Sequence, residues 1–290
     1  MKGLTSGMED GVGNGEAGEM AMIASLPMYD FPNLAAHTDA LWTQWSRLLR
    51  EAGVDAPAAL TRPQTDLLGH WRDDNLVVSQ ACGYPYRAWL HDRLAVVGTF
   101  AYRDVAPKGR YRCVVISRAD DGRPLTQFEC PSIAANGSDS LTGWVCLGAA
   151  LVEAGIGRVG AITITGAHSR SVIAVGSGTS DLAAIDAVTF SLLQRYRPHL
   201  TAAVQVIGFG PEVPGPPIVT AHPALAKVLR ETASEALRKC GAASLAALGI
   251  EAFVECAAGA YDPVIALAEQ AGLVLSAPDG RSPQSALALP

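Results

Sequence analysis

The segment NGSDSLTGW places three hydroxyls, Ser138, Ser140 and Thr142, directly before Gly143 and an apolar helical run, GWVCLGAALVEAG. One hydroxyl is enough to cap a helix, so capping by Ser140 or Thr142 accounts for only part of the pattern. A second chemistry fits the surplus. The backbone N–H groups of Leu141, Thr142 and Gly143, at the positive end of a helix dipole, would form a cradle for an anion. Ser140 and Thr142 would add hydroxyl donors, and Gly143 would let an oxyanion approach the backbone closely.

Further candidates lie downstream in ITITGAHSRSVIAVGSGTSDLAAIDAV. His168 stands at the start of a helix, where the dipole lowers its pKa and a neighbouring anion raises it again. Asp186 follows the short strand LAAI. It is placed either to cap the next helix or to meet a ligand, because α/β sheets bind ligands beyond the carboxyl ends of their strands. There it could accept a proton from a phosphate-type oxygen or pair with an amine. Tyr29 follows the first strand, and Gln80, Tyr84 and Tyr86 cluster after the second. They either fill the core with satisfied hydroxyls or form an amphipathic wall at the same end of the sheet.

Other chemistries are excluded or unsupported. Ser140, His168 and Asp186 lack the G-x-S-x-G elbow and the Ser, Asp, His order of α/β-hydrolases. GSGTSD has no P-loop lysine, and no G-x-G-x-x-G follows a strand. The six cysteines are scattered without a metal-ligand spacing, so no metal and no cofactor is expected. A net charge of -6 without a basic run excludes a nucleic-acid partner. The glycine-rich, acidic N-terminus has no apolar signal core, and no stretch is long enough to span a bilayer. As the sequence stands, the expectation is a cytoplasmic protein, or a periplasmic one if the true start or leader is missing.

The elements that must position these residues alternate. MIASLPMYD reads as a strand and LAAHTDALWTQWSRLLREAG as an amphipathic helix with Leu41, Trp45, Leu48 and Leu49 on one face. NLVVSQ, LAVVGTF, YRCVVIS, SIAAN, AITIT and AVQVIGFG read as further strands, and the Pro-rich GPEVPGPPIVT interrupts the pattern before the helix PALAKVLRETASEALRK. Alternation predicts α/β layers with mostly parallel strands and helices on both faces. Two extended connections, TFAYRDVAPKGRYRCVV and LTAAVQVIGFG, bracket a compact middle block and suit a hinge between two lobes.

These residues resemble the substrate-binding proteins of phosphate, phosphite and phosphonate ABC transporters over Ile23 to Lys239. SLTG, Ser140 to Gly143, is similar to the family's S-[ST]-[ST]-G phosphoryl-binding helix start, with Leu141 in place of a hydroxyl. GAH and DLAAID are similar to its G-[ST]-H and D-[VIL]-A-A-[VI]-D block, and CGYPYRA loosely to its tyrosine-bearing loop. The resemblance implies a type II periplasmic-binding fold with lobe one at 20–107 and 204–275 and lobe two at 108–203, while the glycine-rich, acidic start and the polar end suggest a disordered leader at 1–19 and a flexible tail at 276–290. It implies capture of a small phosphate- or phosphonate-like oxyanion in the interlobe cleft, with an ABC permease as partner and no catalysis. The ligand-binding set it implies is Tyr29, Gln80, Tyr84, Tyr86, Ser140, Leu141, Thr142, Gly143, His168 and Asp186. Two alternatives remain open: an enzyme of thiamine-pyrimidine or menaquinone-type biosynthesis on the same scaffold, and a cytoplasmic ligand sensor.

Overall fold

Apolar residues spaced by 3.6 build the long helices, and short β-branched runs bounded by turn residues build the strands. The computed structural model describes residues 21–63, 66–107 and 109–276. The leader expected at 1–19 and all but the first residue of the tail expected at 276–290 lie outside them. In chain order come β1 (Ile23–Ser25), α1 (Ala35–Glu51), α2 (Leu67–Trp71), β2 (Leu76–Gln80), α3 (Gly83–Pro85) and β3 (Ala95–Tyr102). The middle block holds β4 (Arg110–Tyr111), β5 (Cys113–Arg118), β6 (Ile133–Ala135), α4 (Leu147–Glu153), β7 (Ile162–Ile164), α5 (His168–Gly176), β8 (Ala183–Asp186), α6 (Ala187–Tyr196), α7 (Pro198–Thr201) and β9 (Val204–Phe209). The chain ends with β10 (Val213–Pro214), β11 (Pro217–Thr220), α8 (Ala226–Lys239), α9 (Ala242–Leu248), β12 (Ile250–Val254) and α10 (Pro263–Gly272).

Two lobes result. The first is built on a five-stranded sheet of order β1-β2-β11-β3-β12. Helix α1 turns Leu41, Trp42, Trp45 and Leu49 into its core and stops before Gly53, whose φ of +83° suits a residue without Cβ. Helix α8 lies beside α1, and Trp45, Phe100 and Tyr102 meet edge to face between helix and sheet. The second lobe holds a three-stranded sheet, β8-β5-β9, and a two-stranded one, β6-β7, joined by a single parallel bridge from Ile133 to Leu182.

The mixed α/β class stands, but the pairing corrects the expectation of mostly parallel strands. Only β1–β2 and β6–β7 are parallel ladders, and the remaining ladders among the described residues are antiparallel. The reason is insertion. β11 returns between β2 and β3, and β5 enters between β8 and β9, so strands that share a direction are separated by one that opposes them.

The prolines of GPEVPGPPIVT do not interrupt the sheet. Pro217 occupies the first position of β11, where its missing N–H costs least, and the strand behind it is fully buried. The chain crosses between lobes here and not in LTAAVQVIGFG, because β9 pairs with β5 over Val204–Phe209. The two crossings also pair with each other: β4 and β10 form an antiparallel ribbon with Val213 opposite Tyr111 and Pro214 opposite Arg110. We propose this ribbon as the lobe boundary, which moves 204–209 out of the lobe one expected from sequence. Helix α10, expected in lobe one, packs on α4 of the second lobe.

That last packing is tight at Gly148, where an added Cβ would lie 2.5 Å from the Ala271 Cα. Gly148→Ala is expected to cost about 1–3 kcal/mol through overpacking, read as a lower urea midpoint with an unchanged slope. An unchanged midpoint would show that α10 does not rest against α4 as described.

Candidate functional site

A cavity of about 310 Å³ lies between the lobes and is lined from both. Its second-lobe wall comes from the ends of β6, β7 and β8, each of which leads into a helix that begins at the cavity. Ser140 caps the first of these with its Oγ accepting the Gly143 N–H at 3.0 Å. The helix opens as a π turn over Leu141–Cys146, in which Ser140 O accepts from both Trp144 and Val145, before running on as α4. The second turn begins after Gly166, whose φ of +78° swings the chain so that His168 starts α5. The third begins at Asp186, which caps α6 through the Thr189 N–H at 2.9 Å.

Five of the residues expected from sequence line this cavity: Tyr29, Ser140, Thr142, His168 and Asp186. Thr142 Oγ1 lies 3.3 Å from His168 Nε2, and the Tyr29 hydroxyl donates to Asp186 Oδ2 at 3.0 Å, tying the end of β1 to the end of β8. The N–H groups of Thr142, His168 and Ser169 have no hydrogen-bond partner among the described residues. They border the cavity at two helix N-termini, where unpaired donors and helix dipoles favour an anion. Among the described lining residues there is no lysine or arginine.

The other five are placed elsewhere. Gln80 donates to the Tyr102 hydroxyl at 2.9 Å inside lobe one. Tyr84 packs against Trp89, and Tyr86 against Tyr261, so both rings are core; the same loop sends Cys82 and Pro85 to the cavity instead. Leu141 is wholly buried with its side chain against Gly83, and its N–H donates to Cys82 Sγ at 3.4 Å rather than into the cavity. Gly143 leaves room for Asn136 and His168, since an added Cβ would overlap Asn136 Oδ1 and lie 3.1 Å from His168 Cε1. With the Gly143 N–H held by Ser140, only Thr142 of the three expected cradle donors remains open.

Sequence reading missed Asn136, Tyr111, Trp71 and Phe31, all of which line the cavity. Asn136 opens the very hydroxyl segment singled out above, and its Oδ1 is buried without a partner. Tyr111 sits on the crossing ribbon, a position that only the pairing of β4 with β10 makes visible.

Burial sets the charges. It pushes the Asp186 carboxyl up to about 6, against the Thr189 N–H and the Tyr29 hydroxyl, which pull it down. It pushes His168 down to about 4, with the Ala184 backbone opposing in part, so the imidazole is neutral at neutral pH. Burial likewise raises the Cys82 thiol to about 12. Because Asp186 is raised above its ordinary value, its contribution to folding is full below about pH 4 and is lost as pH rises through about 6. His168 is lowered, so its contribution is full above about 6.5 and is lost as pH falls through about 4. The two oppose each other over one window, each on the order of 3 kcal/mol. Asp186→Asn is therefore expected to gain stability over wild type as pH rises from about 4 to about 6, measured by urea unfolding at successive pH values. A stability difference that stays constant with pH would overturn this assignment.

The match to known proteins agrees with this geometry. Residues 23–261 match the family described as ABC transporter, phosphonate, periplasmic substrate-binding protein. No curated protein is significantly similar in sequence. Among solved structures, XAC2383 from Xanthomonas citri bound to chloride superposes with a TM-score of 0.66 at 14% identity, covering 87% of this chain and 97% of that one. PhnD1 from Prochlorococcus marinus in complex with methylphosphonate gives 0.65 at 13% identity, over 88% and 99%. The binding protein component of an ABC phosphonate transporter from Pseudomonas aeruginosa gives 0.60 at 15% identity, over 87% of each. With its two lobes, paired crossings and interlobe cavity, the chain belongs to the periplasmic substrate-binding proteins of phosphonate ABC transporters.

Proposed function

We propose that this protein binds a small phosphonate-like oxyanion in the interlobe cavity and delivers it to an ABC permease. The observation that carries the reading is the cavity wall on which two helix N-termini present the open N–H groups of Thr142, His168 and Ser169 beside the hydroxyls of Ser140 and Thr142. Neutral donors and helix dipoles meet the negative charge in place of lysine or arginine. Asp186, whose carboxyl titrates near pH 6, suits an oxyanion that still carries a proton, which it can accept in a hydrogen bond. The methylphosphonate complex of the Prochlorococcus relative supports the ligand class. The family's periplasmic setting supports the same location for this chain.

Binding is favoured over turnover by the hydrogen bonds. His168 Nε2 meets Thr142, and Asp186 is engaged by Tyr29 and Thr189. A Ser140–His168–Asp186 relay is therefore not assembled.

Calorimetric titration with methylphosphonate is expected to show saturable binding with no product formed. Ser140→Ala combined with Thr142→Val is expected to weaken it roughly tenfold to a hundredfold, the value of a hydrogen bond to a charged group being about 1.5–3 kcal/mol. Equal affinity in the double variant and in wild type would sink the assignment of this wall.

A further inference from the structure

The two walls of the cavity differ in kind. The open N–H groups and the Ser140 and Thr142 hydroxyls belong to the second lobe and the Tyr111 hydroxyl to the ribbon between the lobes, whereas Met28, Phe31, Leu67, Trp71 and Pro85 face them from the first. The Trp71 ring is held there by a buried chain of bonds. Its Nε1 donates to Ser79 Oγ at 3.2 Å, Ser79 Oγ lies 2.7 Å from Ser25 Oγ, and Ser25 Oγ lies 2.7 Å from His70 Nε2. The one polar atom of the indole is thus satisfied inside the lobe, and what remains for a ligand is hydrocarbon surface.

Size points the same way. A methylphosphonate anion has about five non-hydrogen atoms, whereas cavities from roughly 300 Å³ upward hold considerably larger molecules. The space of about 310 Å³ therefore leaves room for a substituent between the anion wall and the apolar wall. An amine on that substituent would lose water against this hydrocarbon wall without gaining a partner, because both carboxylates that line the cavity, Asp139 and Asp186, stand on the second lobe.

We infer that the ligand is a phosphonate whose substituent is uncharged, apolar and larger than methyl, with its head on Ser140, Thr142 and the α5 N-terminus and its tail against Phe31, Met28 and Trp71. This rests on the oxyanion reading above. It adds a selectivity that the reading alone does not require, since small phosphonates would satisfy the donors equally well.

The test is calorimetric titration of the full chain with methylphosphonate, 2-aminoethylphosphonate, phenylphosphonate and hexylphosphonate, repeated with Phe31→Ala, Met28→Ala and Ser140→Ala. Phenyl- or hexylphosphonate is expected to bind at least roughly tenfold more tightly than methylphosphonate, from the extra apolar surface it buries. Phe31→Ala and Met28→Ala are each expected to narrow that gap, and Ser140→Ala to weaken all phosphonates together. Tightest binding of methyl- or 2-aminoethylphosphonate, or a loss in Phe31→Ala and Met28→Ala that is equal for all four compounds, overturns the inference while leaving the oxyanion reading intact. No binding of any of the four overturns both.

Discussion

Under the oxyanion reading proposed above, negative charge met without a cation is the constraint on which the rest of this structure depends. No lysine or arginine lines the cavity among the described residues, so the field there must come from peptide dipoles. Dipoles act over short range and only when aimed, which requires several helices to begin at one place. The second lobe achieves this by running β6, β7 and β8 in a common direction, so that all three release their chains at the cavity edge and each chain turns directly into a helix. Within the second lobe, parallel pairing is found where this convergence is needed.

The antiparallel strands serve the other requirement, that two lobes face each other across the cavity. β5 carries the chain into the second lobe and β11 carries it back, and between them β4 and β10 hydrogen-bond into one ribbon. Tyr111 belongs to that ribbon and also lines the cavity, so the connection and the cavity wall share a residue. Tyr29 and Asp186 add a second tie across the interface, between groups that lie at the ends of strands in different sheets. Position along the chain matters little here, since these two residues are brought together from opposite lobes.

Much of this was legible because the signals are local. A hydroxyl before a helix, a glycine after a strand and an aspartate at a strand end locate strand-to-helix turns, and in an α/β layer such turns gather on one edge. That reasoning placed Ser140, Thr142, His168, Asp186 and Tyr29 together. It failed for Gln80, Tyr84 and Tyr86 because the orientation of a side chain depends on packing partners distant in sequence, here Tyr102, Trp89 and Tyr261. It failed for β11 because prolines suggest a break, while their cost vanishes at the first position of a strand. It failed for Leu141, which takes no part in the anion wall and instead packs on the opposite lobe. The strand β12 and the place of α10 on α4 depend on tertiary contacts that no local pattern records.

The bond from the Leu141 N–H to the Cys82 sulfur bears on what holds the two lobes together. Sulfur is a weak acceptor, and a protonated thiol held far above its ordinary pKa offers no charge to strengthen the contact. Of the two ties described between the lobes, this one separates with little enthalpic cost, whereas the hydrogen bond from Tyr29 to the Asp186 carboxyl is the stronger. Separation of the lobes is therefore resisted by the pair at Asp186 and hardly at all by the sulfur contact.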